Sequence, residues 1–213
     1  MKKGAVWLLL GVIIGGVYAN ALGNGFVFDD YLIVLANPAL PRVAENPWLA
    51  FSLQTLGYRP FRTLSYVLDF AVGGMNPWLF HFNNIVYHWL TACLVFLVAQ
   101  RLVAHAEDDS RQLSSPPSPD LGLQPPNSGL WVALCTALLW AIHPIQTDVV
   151  AYISGRRDIL ATLFFFLGFY AFLVVRAEGQ TMRKSQQIGW FLLLGFSYGL
   201  GMLSKEMAVT CGH

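Results

Sequence analysis

Tyr152-Ile-Ser-Gly-Arg-Arg-Asp158 joins two apolar runs, residues 130–147 before it and 159–175 after it. Each run is close to the ~20 residues that cross a ~30 Å hydrocarbon core as a helix. Two arginines and an aspartate at such a boundary are costly unless they meet partners or water, so they point to a functional site. Asp158 at a helix start favours the helix dipole by ~0.3–1 kcal/mol, whereas arginines there oppose it. Arg156 or Arg157 is therefore expected to have an anionic partner other than the helix.

Three further runs of membrane length flank this pair, at residues 5–22, 83–104 and 188–204. The 213-residue chain is 55% hydrophobic with a mean hydropathy of +0.52, and only 12% of it is charged. That charged fraction is about half the usual soluble value. The fold class is therefore all-α, a polytopic helical membrane protein with about five spans, because lipid leaves no water to satisfy an open backbone. A net charge of +1 excludes the basic footprint of a nucleic-acid partner. Cys93, Cys135 and Cys211 are widely spaced and read as small apolar residues, not as a disulfide framework or a metal site.

Lys2 and Lys3 place the amino terminus in the cytoplasm. With Ala19-Asn20-Ala21 they also fit a cleaved leader, but the long apolar stretch and the bulky Tyr18 favour a retained helix. Alternation then places residues 23–82 and 148–158 outside, and 105–129 and 176–187 inside. Asp29, Asp30, Arg59, Arg62, Asp69, Arg156, Arg157, Asp158, Lys205 and Glu206 all fall on the external side or its boundary.

The external loop 23–82 is more than a tether. Asn46-Pro47, Arg59-Pro60 and Asn76-Pro77 mark helix starts. In residues 61–70, Phe61, Leu64, Leu68 and Phe70 can face lipid or core while Arg62 and Asp69 point elsewhere, the pattern of an interfacial helix. Trp48 and Trp78 suit interfacial anchoring. Residues 105–129 carry Glu107, Asp108 and Asp109 and then a Ser/Pro-rich tract, and read as a cytoplasmic linker.

Several groups are candidates for chemistry. Asp29 or Asp30 can act as general base or cap a helix at Tyr31. Arg59 and Arg62 can meet a phosphate or snorkel from an interfacial helix. His81, Asn84 and His88 form one polar stripe, which can join a metal but more often hydrogen-bonds between helices. His143-Pro144 ends or kinks the third span, placing Asp148 and Tyr152 four residues apart on one face. Ser204-Lys205-Glu206 closes the fifth span.

Together these pieces resemble the amino-terminal part of the polytopic membrane glycosyltransferases of the C superfamily, and within it the transmembrane and tetratricopeptide-repeat O-mannosyltransferases and their bacterial relatives. The matching segments are residues 25–30, 58–69, the His81/Asn84/His88 stripe, residues 141–148, 155–158 and 203–206, in family order. The resemblance implies transfer of a sugar from a polyprenyl-phosphate donor to a protein or glycan hydroxyl on the non-cytoplasmic face. It maps the family's acidic pair onto Asp29 and Asp30. Asp148 and Asp158 stand where relatives more usually carry Glu, so their reach is shorter.

The donor phosphate is expected at basic groups among Arg59, Arg62, Arg156, Arg157 and Lys205, with His143, Asp148, Asp158 and Glu206 lining the substrate region. No metal ligand set is fixed, although a divalent metal is compatible with the family. The chain stops after the fifth span, where such transferases continue, and an inactive amino-terminal fragment is the expectation. Its compact loops suit a bacterial inner membrane, with an endoplasmic-reticulum membrane as the eukaryotic counterpart. A non-enzymatic scaffold that retains the fold is the alternative. A transporter would carry ionisable groups near mid-bilayer, and the charges here gather at one face.

Overall fold

The computed structural model describes residues 3–51, 59–113, 128–179 and 181–205. Every regular element among the described residues is helical. Helix α1 (Lys3–Tyr18) continues into a 3-10 turn at Ala19–Gly23. A π-helical turn (Tyr31–Leu35), α2 (Ala39–Glu45), a 3-10 turn (Pro47–Phe51) and α3 (Pro60–Gly73) form the first loop. The rest is α4 (Pro77–Leu113), α5 (Ser128–Ile142), α6 (Ile145–Ala151), a 3-10 turn at Ile153–Gly155, α7 (Arg156–Glu178) and α8 (Lys184–Ser204).

Among the described residues, four segments are long and apolar enough to cross a membrane: Lys3–Gly23, Pro77–Ser110, Ile153–Glu178 and Lys184–Ser204. Helices α5 and α6 are long and apolar enough only as a pair, and they are bent by 64° at the break between them. The break falls at His143-Pro144, where proline removes an amide donor and clashes with the preceding turn. The helix end frees the Ala141 carbonyl, which accepts from Tyr18 Oη at 3.0 Å and His88 Nε2 at 2.9 Å. A carbonyl only accepts, so His88 carries its proton on Nε2. These bonds tie α1 and α4 to the bend where lipid offers no alternative partner.

Helix α4 is the central post. Val6, Leu10 and Ile14 of α1 pack with Phe96 of α4 and Ala133 and Ala137 of α5 in one apolar core. A second core lies at the end of the bundle, where Val34, Leu40, Val43 and Ala50 meet Tyr66, Phe80 and Ile153. Each proline signal in the first loop opens an element: Pro47, Pro60 and Pro77. The outer faces of the spans stay apolar, as with Ile188, Phe191, Leu192 and Phe196 of α8, which suits contact with lipid. Cys93 is buried, whereas Cys135 lies on such an outer face.

Two expectations change. The first part of the linker expected from residue 105 is helical, because α4 runs to Leu113. Residues 105–113 contain neither Gly nor Pro, so nothing in them interrupts the helix. Asp148 and Tyr152 do not share a helix face, because α6 ends at Ala151 and Tyr152 is extended (φ −106°, ψ 124°). Helix α3 resolves the open reading of its faces. Arg62, Ser65, Tyr66 and Asp69 turn inward at spacing i, i+3, i+4, i+7, and Leu68 faces out.

Candidate functional site

Antiparallel packing gathers the carboxyl ends of α1, α5 and α8 with the amino ends of α4 and α7. Lys205 Nζ contacts Asp158 Oδ1 at this end, and Arg101 pairs with Glu178 at 2.5 Å at the other. Two segments far apart in the chain meet here: residues 25–30 and the turn 152–155.

Ser154 N–H donates to Asp30 Oδ1 at 2.8 Å, and Val27 N–H donates to Asp30 Oδ2 at 3.2 Å. Asp30 is fully buried. Burial pushes its carboxyl above the ordinary value, and the Val27 and Ser154 amides pull it partly back. Asp29 is exposed, and its own N–H donates to Tyr152 Oη at 3.0 Å. Just before the pair, Phe28 adopts φ 45° with its ring 86% exposed. The left-handed region costs an L residue about 1–2 kcal/mol, and such strain gathers at functional sites. The two carboxylates thus have different environments, one anchored within and one at the surface.

Arg156 lies beneath the turn and is fully buried. Its Nη1 is 2.5 Å from Asp69 Oδ2, which is itself 1% exposed. Nε donates to Asn84 Oδ1 at 2.7 Å, Nη1 to the Ser65 carbonyl at 3.2 Å and Nη2 to the Phe80 carbonyl at 2.7 Å. The Tyr66 ring lies 4.7 Å from the guanidinium carbon. Asn83 Nδ2 donates to the other Asp69 oxygen at 2.5 Å. Asp69 is the anionic partner that the helix-dipole argument required. Burial raises the Asp69 carboxyl above its ordinary value, against the opposing pull of Arg156 and Asn83. Burial also pushes the Tyr66 phenol up to about 12.

Arg156, named from sequence among the candidates for the donor phosphate, is enclosed by protein groups in the structure. Its donors meet protein groups and no face of it reaches solvent. Arg157 and Lys205 remain at the surface, 33% and 28% exposed, and share the single carboxylate of Asp158. That trio carries one net positive charge. Arg62 is buried with its guanidinium carbon 5.9 Å from the Tyr66 ring, and Arg59 stands just before α3, its carbonyl accepting from Thr63. His143 is exposed, and its Nδ1 accepts from the Ile145 N–H at 3.2 Å, so it caps α6. Asp148 is exposed on α6. Glu206 lies outside the described residues.

The arrangement of motifs matches known proteins. Protein O-mannosyl-transferase TMTC2 of Mus musculus is 31% identical over 207 residues, which cover 91% of this chain and 21% of that protein. Human protein O-mannosyl-transferase TMTC1 is 31% identical over 91% of this chain and 21% of its own length. Human protein O-mannosyl-transferase TMTC4 is 30% identical over 95% of this chain and 27% of its own length. By sequence, this chain belongs to that family. It is a family of membrane glycosyltransferases, and the chain spans about a fifth of the length of the first two relatives. No family model and no solved structure matches the chain.

The structure brings residues 25–30 and 155–158 into contact through the turn 152–155, and joins residues 59–69 to both through Arg156. Asn84, Tyr66 and Ser154 form the links; of these only Asn84, as part of its polar stripe, is a candidate from sequence. The polar stripe of α3 and the His81/Asn84/His88 stripe were the available signals. Of that second stripe, Asn84 and His88 bind carbonyl groups. Among the described residues, no three His, Cys, Asp or Glu side chains gather to hold a metal.

Proposed function

We propose that this end of the bundle is the acceptor-activating part of a membrane glycosyltransferase. It moves a sugar from a polyprenyl-phosphate donor to a protein or glycan hydroxyl on the non-cytoplasmic face. The observation that carries the reading is the docking of the acidic pair on the turn 152–155, with Asp30 anchored and Asp29 presented at the surface. The relatives' names support mannose as the sugar and protein as the acceptor.

In this reading the Asp29 carboxylate takes the proton of the acceptor hydroxyl. The acceptor oxygen bonds to the sugar's anomeric carbon as the bond from that carbon to the phosphate oxygen breaks. The polyprenyl phosphate leaves with the electron pair. Arg157 and Lys205, at the surface of the same end, hold the phosphate and stabilise its growing charge. The active end faces the periplasm of a bacterial cell, or a lumen in a eukaryotic one.

The test uses the longest product of the gene in proteoliposomes with a polyprenyl phosphomannose donor and a peptide acceptor. Asp29→Asn is expected to cut transfer on the order of 10²–10⁴-fold. Transfer that persists with Asp29→Asn and Asp30→Asn together overturns the proposed base. A wild-type protein that transfers nothing yet assembles with other membrane proteins returns the scaffold reading.

A further inference from the structure

The turn 152–155 holds the acidic pair from one side and is itself held from the other. Above it, Ser154 N–H and Tyr152 Oη bind Asp30 and the Asp29 amide. Below it, Asn84 Nδ2 donates to the Tyr152 carbonyl at 3.0 Å, and Tyr66 Oη donates to the Ile153 carbonyl at 3.0 Å. Both of those side chains are set by Arg156. Its Nε binds the Asn84 amide oxygen, which orients that amide with its NH₂ toward the turn. Its guanidinium also packs against the Tyr66 ring.

Asp69 makes this cation tolerable. A buried guanidinium needs a charged counterpart and filled hydrogen bonds, and here α3 provides the first and the backbone of α3 and α4 much of the rest. Gly155 adds a steric condition. A Cβ at that position would lie 2.3 Å from the Val149 carbonyl oxygen, so the turn crosses α6 closer than any side chain allows.

We propose that Arg156, with Asp69 as its counter-ion, is a positioning residue that sets the acidic pair through Asn84, Tyr66 and the turn, and does not touch the donor phosphate. The inference rests on the proposed transferase activity for its kinetic consequence. The structural coupling from Arg156 to Asp30 stands apart from it.

Two readouts in the longest gene product test the proposal. The first is kinetic, with Arg156→Lys and Arg156→Met compared against wild type. The expected result is a fall in kcat of tenfold or more, smaller for lysine than for methionine, with the KM for polyprenyl phosphomannose within twofold. A rise of tenfold or more in donor KM at unchanged kcat would make Arg156 a phosphate ligand and overturn the proposal.

The second readout needs no activity. Asp30 is probed with a water-soluble carbodiimide and an amine, read by peptide mass spectrometry, with Asp29 as internal reference. Asp30 is expected to be protected in wild type and to react at least fivefold faster in Arg156→Lys and in Gly155→Ala. Gly155→Ala displaces the turn while both side chains of the ion pair are retained. Unchanged protection of Asp30 in both monodisperse variants overturns the coupling. If Arg156→Met does not fold, Arg156→Lys and Gly155→Ala decide. If wild type transfers no sugar, the proposed function fails while the labelling still decides the coupling.

Discussion

Ser154 donates its backbone N–H to the buried Asp30 carboxylate at 2.8 Å, across 124 positions of chain. That bond and the Val27 amide give Asp30 an anchoring role that Asp29 does not share. Asp30→Ala leaves two amide donors without their acceptor. The expected loss is about 1–3 kcal/mol for the buried Ser154 amide and less for the part-buried Val27 amide. Thermal unfolding in detergent measures it, and Asp29→Ala, at the surface, is expected to change stability by less than about 0.5 kcal/mol. Equal losses for the two variants would contradict the division of roles.

The same burial sets a pH dependence. Burial raises the folded Asp30 carboxyl above its unfolded value, so folding favours the protonated form. The stabilising contribution of this group is full below the ordinary value of 3.8 and is lost as pH rises through the raised value. Asp30→Asn removes the titration. The variant's unfolding midpoint relative to wild type is therefore expected to rise as pH increases above the ordinary value of 3.8. Unfolding scans of both proteins above that pH check it, and a relative midpoint that falls with pH would reverse the assigned shift.

The buried pair predicts a different signature. Removing only one partner strands a charge, so Asp69→Ala is expected to cost about 3–5 kcal/mol. Replacing both together, as Arg156→Met with Asp69→Leu, avoids the stranded charge and is expected to recover most of that stability. Transfer is not expected to recover, because Asn84 loses the donor that orients it. Unfolding midpoints and initial rates on the single and the double variant, beside wild type, separate stability from positioning. A double variant with wild-type rates would reduce the pair to a structural strut.

The sequence shows some of this site and hides the rest for a physical reason. Spans, the His143-Pro144 break and the proline helix starts are local signals, set by composition and by backbone chemistry. The need for an anion near Arg156 or Arg157 also follows locally, from the helix dipole. The identity of that anion does not, since Asp69 lies on another helix of the first loop. The role of Ser154 is carried by its backbone amide, which every residue but proline possesses. Asn84 stood in a visible stripe, yet only the fold shows that its amide reads the turn while its oxygen reads Arg156. Residues 105–113 carry charges typical of a linker, yet they also lack Gly and Pro, and helix propensity prevails there.

Gly155 tests the close crossing of the turn over α6. Its missing side chain leaves room that Val149 occupies, and a methyl group there would sit 2.3 Å from a carbonyl oxygen. Backbone must move to relieve it, at a cost of about 1–3 kcal/mol. Gly155→Ala is expected to lower the unfolding midpoint and to cut transfer, because the displaced turn carries Ser154 and Tyr152. Wild-type stability and rate in this variant would mean that the crossing relaxes without disturbing the acidic pair.

Arg157 and Lys205 carry the last prediction. Both lean on Asp158, and neither is buried, so each can turn toward an anionic ligand at little conformational cost. Lys205→Ala and Arg157→Ala are expected to raise the KM for the polyprenyl phosphomannose donor about tenfold each, consistent with the loss of one charge-assisted contact. Acceptor KM should stay within twofold. Asp158→Asn frees both cations from their carboxylate, and is expected to lower donor KM in place of raising it. That opposite sign is the sharper check. A trio serving only to close α7 against α8 would lose stability in all three variants and leave donor KM unmoved.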